Sequence, residues 1–298
     1  MFIRAILVFT GVAQVLAQIV SPTSVGPWTY QGCFICNTQT LARDNPFRQL
    51  QHQQFVTGGM TVEACTSACK TAGFALAGLE FGGECWCDSF LQGTQQFADS
   101  QCAQMTCSGN SAETCGGPDR LQVYLDGSAA PPETDICVVT NSEDFSPVAV
   151  TKSTPAAQTR LNLLDVGVGG THAFLLTADT CPSCEVEGDV QLGALLVLSS
   201  LYPDAAFVEF FNATTGDSPI GRELFTPQTD VYCAQISPVT GRIGPLVVAA
   251  NGHSDLWALC PNTTAGLRSD LVYSPVGNHP HYTLNSCQPV WLTMAWFD

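Results

Sequence analysis

Short apolar runs separated by turn-forming residues dominate the chain beyond residue 137. Several of them alternate apolar and polar positions, which is the pattern of a strand with one buried face. No stretch in this part has the 3.6-residue periodicity of an amphipathic helix. We therefore predict an all-β region over residues 137–298, built as an antiparallel sandwich or barrel. Its predicted strands are 148–150, 173–176, 192–198, 206–211, 231–236, 244–250, 255–259, 271–273 and 290–296.

One of these turns carries a strong local signal. Asn251 and Gly252 stand between the β-prone runs 246–250 and 255–259. Asn-Gly favours the tight two-residue turn that joins antiparallel neighbours. The sequence therefore predicts a hairpin between these two runs.

A different pattern precedes residue 127, where one helix is predicted. Thr61 suits the N-cap, Glu63 favours the first turn, and Gly73 can end the helix. The expected helix therefore covers residues 61–73. Further along, Trp86 lies in a strand-like run.

The helix and the strand-like run each carry two cysteines on one face. Cys65 and Cys69 are four residues apart, so they share one face of the helix. Cys85 and Cys87 are two residues apart, so they share one face of the strand. We therefore hypothesise two parallel disulfides between the helix and the strand.

Cysteines are concentrated in the N-terminal third, since nine of the 15 lie between residues 28 and 124. Three segments there are long and specific: Tyr-Gln-Gly-Cys at 30–33, Ala-Gly-Leu-Glu-Phe-Gly-Gly-Glu-Cys-Trp-Cys at 77–87, and the run from Cys107 to Tyr124. Together they resemble a WSC domain. That resemblance implies a small disulfide-rich α+β module, with one helix packed on a small sheet, that binds carbohydrate. The eight cysteines of the family pattern would be completed by Cys33, Cys102, Cys107 and Cys115.

The remaining cysteines allow two arrangements. In the first, Cys36 bridges to Cys137 and ties the two regions together. In the second, which we favour, Cys36 is free and the six later cysteines pair among themselves. Because 15 is odd, at least one cysteine stays outside any intrachain disulfide. The six later cysteines are Cys137, Cys181, Cys184, Cys233, Cys260 and Cys287.

The N-terminus has the features of a secretory signal peptide over residues 1–17. Arg4 precedes an apolar run at 5–16, and small residues favour cleavage before Gln18. No later apolar run is long enough to cross a bilayer, so no membrane span is expected. We expect a secreted, extracellular protein, with association at the cell wall as one option.

The expected organisation after the signal peptide has three parts. A WSC-like domain covers 26–126, a small-residue and Pro-rich linker covers 127–136, and the all-β domain of unknown function follows at 137–298. In the last domain, Asn212 and Asn262 begin N-glycosylation sequons, which mark surface loops on a secreted chain.

The net negative charge of the chain argues against one class of binding partner. Ten basic residues stand against 26 acidic ones, giving a formal charge of −16. A chain this acidic is repelled by phosphate backbones, so nucleic acid is not an expected partner.

Candidate sugar-binding residues lie in the WSC-like segment, because a flat aromatic ring can stack on the apolar face of a sugar while polar neighbours bind its hydroxyls. The first candidate is Trp86, flanked by Glu84 and Asp88. In the alternative interpretation these aromatic rings form the core of a small domain. Weaker candidates are Tyr30, Phe81, Asp119 and Arg120.

Metal, redox and catalytic chemistry are less favoured. His279 and His281 have the spacing of copper or zinc ligands, but surface histidines in a Pro-rich turn explain them better. Cys181 and Cys184 have redox-motif spacing without the strand–helix context that such a motif needs. No metal or other cofactor is therefore expected, and no acidic pair is identified as a glycosidase site.

The leading hypothesis is a secreted carbohydrate-binding protein that recognises β-glucan or a related cell-wall polysaccharide through the WSC-like domain. One alternative is a secreted carbohydrate-active enzyme whose β domain is catalytic and whose first domain targets it to polymer. Another is a structural cell-wall protein. An enzyme is the less favoured of these interpretations.

Overall fold

The structure is a computed structural model that describes residues 22–38, 47–93, 95–140, 145–166, 174–178, 184–185, 190–191, 196–197, 207–211, 213–224, 231–266 and 268–295. The expected signal peptide at 1–17, the sequon residue Asn212, Cys181 and the side chain of Cys184 lie outside the described residues. Where the chain is described, it is mostly β with a single α-helix.

The N-terminal region, residues 24–126, contains the helix and a seven-stranded antiparallel sheet. The sheet order is β1-β2-β11-β6-β7-β5, with β8 paired to β2 at the side, while β3-β4 and β9-β10 form two small ribbons. The elements are β1 Ser24–Val25, β2 Trp28–Ile35, β3 Asn37–Thr38, β4 Phe47–Arg48, β5 His52–Gln54, α1 Val62–Thr71, β6 Leu76–Glu80, β7 Glu84–Asp88, β8 Gln96–Phe97, β9 Thr106–Cys107, β10 Asn110–Thr114 and β11 Arg120–Asp126, with a 3₁₀ turn at Asp99–Gln101.

Helix α1 forms where its end signals predict. The Thr61 side chain accepts a hydrogen bond from the Ala64 amide, which satisfies one of the free donors of the first turn. The helix ends at Thr71, and Gly73 follows with a φ of 87°, a conformation that glycine adopts without strain. The expected helix at 61–73 is therefore confirmed to within two residues at its end.

Two disulfides join α1 to β7 as hypothesised. Cys65 bridges to Cys85 and Cys69 bridges to Cys87, and all four residues are buried. The remaining cysteines of the family pattern are paired as well, through the bridges Cys33–Cys102 and Cys107–Cys115. The N-terminal region is therefore disulfide-rich, as the resemblance implied.

Each face of the N-terminal sheet carries its own apolar cluster. The helix face buries a cluster that includes the four cysteines of the helix–strand disulfides, Ala77, Leu79 and Tyr124. The opposite face buries Phe34, Cys36, Leu50, Leu76, Leu91, Leu121 and Val123. Strand β6 supplies alternate residues to both clusters, which is why all five of its residues are buried.

The C-terminal region, residues 146–295, is a 14-stranded antiparallel sheet. Its main path is β13-β12-β25-β23-β24-β15-β20-β19-β18-β17, with β14 and β16 attached through β15, and β21 and β22 attached through β25. The strands are β12 Ser146–Thr151, β13 Gln158–Arg160, β14 Asn162–Asp165, β15 Phe174–Thr177, β16 Cys184–Glu185, β17 Val190–Gln191, β18 Leu196–Val197, β19 Phe207–Phe211, β20 Ile220–Leu224, β21 Tyr232–Gln235, β22 Val247–Ala250, β23 Trp257–Pro261, β24 Ser269–Tyr273 and β25 Gln288–Ala295, with a 3₁₀ turn at Leu284–Ser286.

The predicted hairpin at Asn251-Gly252 is half right. The tight turn forms, with a φ of 52° at Asn251, 83° at Gly252, and reciprocal backbone hydrogen bonds between Ala250 and His253. The predicted pairing of the flanking runs is wrong. Strand β22 pairs with β21 and β25, whereas β23 pairs with β24 and β25. Strands β22 and β23 therefore do not pair with each other. A hydrogen bond from the Trp257 indole to the Val248 carbonyl, 2.8 Å long, joins the two runs without strand pairing, and both runs contribute to the same core cluster.

The later cysteines follow the favoured arrangement where they are described. Cys137 bridges to Cys233 and Cys260 bridges to Cys287, while Cys36 is a buried free thiol. The alternative bridge between Cys36 and Cys137 is therefore wrong.

None of the helices in the described ranges is long and apolar enough to cross a bilayer.

Candidate functional site

Trp86 lies on the sheet face opposite the helix. It alternates with Cys85 and Cys87, whose sulfurs bind the helix, and its half-buried ring packs against the cluster on the other face. The indole nitrogen donates a hydrogen bond to the Glu84 carboxylate at 2.9 Å. The guanidinium carbon of Arg48 sits 3.5 Å from the ring centroid. One face of the ring is therefore covered by a cation rather than open to a ligand.

Arg48 connects this tryptophan to two carboxylates. Its guanidinium forms a close ion pair with the buried Glu80 and lies 3.6 Å from Glu84. The Cys36 thiol donates to the same Glu80 carboxylate at 2.7 Å. Burial raises the pKa of both the Cys36 thiol and the Glu80 carboxyl, and Arg48 opposes the shift at each. This network holds Trp86 in place and keeps the thiol protonated.

Asp88 does not contribute to an open site. Its carboxylate is buried and accepts hydrogen bonds from the backbone amides of Gln51, at 3.1 Å, and Ser89, at 2.7 Å. Burial raises the pKa of Asp88 in spite of these bonds. The side chain therefore organises the loops beside β7. Alternation along β7 correctly places it on the Trp86 face, but says nothing of the loops that cover it.

Phe81 is an exposed aromatic residue at the tip of the β6–β7 hairpin. Its side chain is 55% exposed and its φ is 51°, a region that bulky residues rarely occupy. Gly82 follows with a φ of 71°, so the pair completes a tight turn between Glu80 and Glu84. The turn therefore directs this ring towards solvent instead of the core.

Phe55 is the most exposed large apolar residue of the described chain, at 89%. It directly follows the polar edge strand β5, and no sequence argument above identified it. A usable signal was present, since Phe55 follows four polar residues, Gln-His-Gln-Gln at 51–54, and has no apolar residue two positions away on either side. An isolated aromatic residue in such a run has no core face to join.

Phe55 and Phe81 lie at the same end of the sheet, and we call this pair the aromatic rim. The pairing of β5 with β7 ends with Gln54 opposite Cys85, one residue before Phe55, while Glu84 pairs with Glu80, the neighbour of Phe81. Two interstrand spacings separate the outer strands, so the two backbones are about 10 Å apart. Both rings are exposed at this end of the sheet, where the Glu84 side chain is 39% exposed.

Two other sequence candidates lie elsewhere. Tyr30 packs on the helix side of the sheet, where its ring contacts Tyr124 and its hydroxyl donates to Asp99 at 2.8 Å. Asp119 is exposed in a turn, where its carbonyl accepts from Arg120 at 2.8 Å. Tyr30 is therefore on the opposite face from Trp86, whereas the Asp119 carbonyl accepts a hydrogen bond from the Cys36 amide at 3.1 Å, so the seven candidates do not form one site.

His279 and His281, the histidines with metal-ligand spacing, contact neighbouring side chains. His279 stacks on Tyr282 with ring centroids 4.2 Å apart and approaches Asp217 at 3.4 Å. His281 shares a 2.9 Å hydrogen bond between Nδ1 and the Thr264 hydroxyl. Within the described ranges, only the sulfurs of Cys65, Cys69 and Cys85 cluster closely enough to resemble a metal site, and all three are in disulfides.

The sequon residue Asn262 lies in a turn after β23. Its side-chain oxygen accepts hydrogen bonds from the Thr264 amide and hydroxyl, and its amide nitrogen donates to Asp270 at 2.7 Å. Asn262 is therefore half-buried in a loop, and its glycosylation stays a prediction.

Comparison with known proteins supports the family resemblance. Residues 30–117 match the WSC domain family. A WSC domain-containing protein of Arthroderma benhamiae is 32% identical over 142 residues, which cover 47% of this chain and 15% of that protein. Another WSC domain-containing protein of the same fungus is 36% identical over 105 residues, covering 35% and 13%. A protein of Chaetomium globosum is 43% identical over 95 residues, covering 32% and 40%.

Each alignment spans less than half of the relative concerned. The matched residues hold the helix, the two helix–strand disulfides and the aromatic rim. Residues 30–117 of this chain are therefore a WSC domain.

Proposed function

We propose that this protein binds polysaccharide through its WSC domain, and that its ligand is β-glucan or a related cell-wall polymer. The family match supports carbohydrate as the ligand class. The disulfide-rich N-terminal region supports an extracellular location, because such bridges persist in oxidising compartments. The C-terminal sheet acts as a scaffold for the binding domain.

The observation that carries this proposal is the aromatic rim. Soluble proteins bury most large aromatic side chains, so two exposed phenylalanines at one end of a small sheet need a reason. Their flat apolar faces suit the CH faces of sugar rings, while Glu84 and the exposed Gln53 offer hydrogen bonds to hydroxyls. An open rim on a rigid hairpin fits a long polymer better than a small enclosed molecule.

Trp86 has a supporting role in this proposal. Arg48 covers one face of its ring and the apolar cluster contacts it, so it holds the hairpin in position beneath the rim. The ligand then contacts Phe55 and Phe81 first.

The test is retention of the full-length protein on insoluble polysaccharides: β-1,3-glucan, cellulose, xylan and chitin. We expect the wild type to be retained on at least one polymer. The double variant Phe55→Ala/Phe81→Ala should lose about tenfold in affinity, equivalent to about 1.4 kcal/mol. Because both rings are exposed, its unfolding free energy should change by no more than about 0.5 kcal/mol per site.

Leu284→Ala is the matched control, since it removes an apolar side chain that is 41% exposed in the C-terminal region. It should bind like the wild type. Full retention of the folded rim variant would remove the rim from the binding surface. Failure of the wild type on every polymer would contradict the proposed function itself.

A further inference from the structure

The loop after β7 is hydrogen-bonded to the C-terminal region through backbone and side-chain groups. The Leu91 amide donates to the carbonyl of Arg242 at 2.8 Å. In return, the Arg242 guanidinium donates to the carbonyls of Ser89, at 2.6 Å, and Ala130, at 2.8 Å. One arginine thus joins the loop after β7 and the segment after β11 to a turn of the C-terminal region.

Apolar side chains cross the same boundary in both directions. Phe90 packs against the core cluster of the C-terminal region. Ile243 packs against the N-terminal cluster that contains Leu91, which is itself fully buried. Each region therefore contributes one side chain to the other's apolar cluster, and separating them would expose both.

The N-terminal half of this contact is held firmly within its own region. The buried Gln49 accepts hydrogen bonds from the Gln92 amide through its carbonyl, at 3.2 Å, and from the Gly93 amide through its side-chain oxygen, at 2.6 Å. The loop that carries Phe90 is therefore fixed to the sheet at both ends.

The C-terminal half is equally constrained. The Ser237 hydroxyl accepts from the amides of Val239 and Thr240 at 3.3 Å each, and the Ser237 carbonyl accepts from the Gly241 amide at 2.9 Å. This compact turn leads directly into Arg242. Burial also lowers the pKa of Arg242, which fits a guanidinium enclosed between two regions.

We infer that residues 89–91 and 242–243 form an interdomain clasp that holds the WSC domain and the C-terminal sheet as one body in a single orientation. The docking surface is the loop after β7, and its partner is the turn at 237–243 of the same chain. The segment at 127–136, which its composition predicts to be a linker, is then held in place by these contacts and does not act as a flexible joint.

The clasp has a consequence for the aromatic rim, and this part rests on the proposed function. Phe81 precedes β7 and the clasp loop follows it, so the rim and the clasp occupy opposite ends of that strand. The clasp therefore leaves the rim uncovered and directs it away from the C-terminal sheet.

The test measures domain coupling directly. We expect the Leu91 amide to be strongly protected from hydrogen exchange in the full-length wild type, and the intact protein to melt in one calorimetric transition. Arg242→Ala should accelerate exchange at Leu91 about tenfold or more. The variant loses the two hydrogen bonds of the guanidinium, which hold the Arg242 carbonyl in position to accept from the Leu91 amide. Phe90→Ala should do the same through loss of packing.

Arg120→Ala is the charge-matched control, since its guanidinium bonds Gln101 and stacks on Phe97 within the N-terminal region. It should leave exchange at Leu91 unchanged. Non-reducing peptide maps should show the same disulfides in every variant, which separates loss of the clasp from misfolding. Fast exchange of Leu91 in the wild type, or an unchanged rate in both clasp variants, would overturn the inference. Because no sugar is involved, this outcome is independent of the polysaccharide assay.

Discussion

At the scale of single residues, neighbours determine what an aromatic side chain can do. Trp86 and Phe81 belong to the same hairpin, five positions apart. Trp86 is enclosed by Arg48, Glu84 and an apolar cluster, whereas Phe81 stands in solvent because a tight turn carries it beyond the sheet. We therefore propose that Trp86 contributes to stability and that Phe81 contributes to binding.

Trp86→Ala should accordingly destabilise the protein while sparing the rim. Removing the ring leaves a gap beside the apolar cluster and takes away the surface on which Arg48 stacks. We expect a loss of about 3 kcal/mol in unfolding free energy, read from chemical denaturation. Polysaccharide retention of the folded fraction should stay close to that of the wild type.

Trp291→Ala provides a matched comparison, because Lys152 covers that ring at 4.0 Å in the C-terminal region. It should also reduce stability without affecting retention. A well-folded Trp86→Ala protein that loses retention would instead place the sugar site at Trp86.

At the scale of elements, the β6–β7 hairpin is the structural centre of the WSC domain. Disulfides fix β7 to the helix on one face, and apolar packing covers the other. Strand β6 lies between β11 and β7, so it has no free edge. Close packing there requires a small residue at Gly78, where an added Cβ would lie 2.7 Å from methyl groups of both Leu50 and Leu121.

Gly78→Ala should therefore be destabilising even though alanine is the smallest possible addition. The two leucines are fully buried and must shift to make room, so we expect a loss of about 1–3 kcal/mol. Gly83→Ala is the control in the adjacent turn, because its Cβ would meet nothing within 4 Å. That variant should be near neutral. Equal stabilities of the two variants in thermal denaturation would contradict the packing described for this face.

At the scale of the whole molecule, the odd number of cysteines means that at least one of them lacks an intrachain disulfide partner. Fifteen cysteines cannot all pair, and the free one in the described chain is Cys36, enclosed with Glu80 and Arg48. Burial, together with the Glu80 carboxylate, raises the pKa of this thiol. A protonated, enclosed thiol is a poor nucleophile, so it does not lead to disulfide-linked dimers.

The native protein should therefore resist alkylation. In denaturant without reductant, iodoacetamide should label one thiol per chain, and peptide sequencing by mass spectrometry should place the label at Cys36. Cys36→Ser should abolish this labelling. Rapid labelling of Cys36 in the native protein, or a covalent dimer through Cys36, would contradict its enclosure.

Local chemistry in the sequence determined much of this structure. The helix and its capping residue, the two helix–strand disulfides, most of the C-terminal strands and the tight turn at Asn251-Gly252 all follow from neighbouring residues. Such features depend on periodicity, capping and backbone preference, which act over a few residues. The WSC segments also identified the family, because their cysteine and glycine spacing is long and specific.

Only the tertiary structure decided which side chains are enclosed and which strands are neighbours. The burial of Asp88, the cover of Arg48 over Trp86 and the exposure of Phe55 depend on residues far away in sequence. The partners of β22 depend on competition among strand edges, and the local Asn-Gly turn motif carries no information about that competition. The clasp joins residues about 150 positions apart. Burial and long-range pairing are properties of the packed chain, so they became visible only once both sheets were in place.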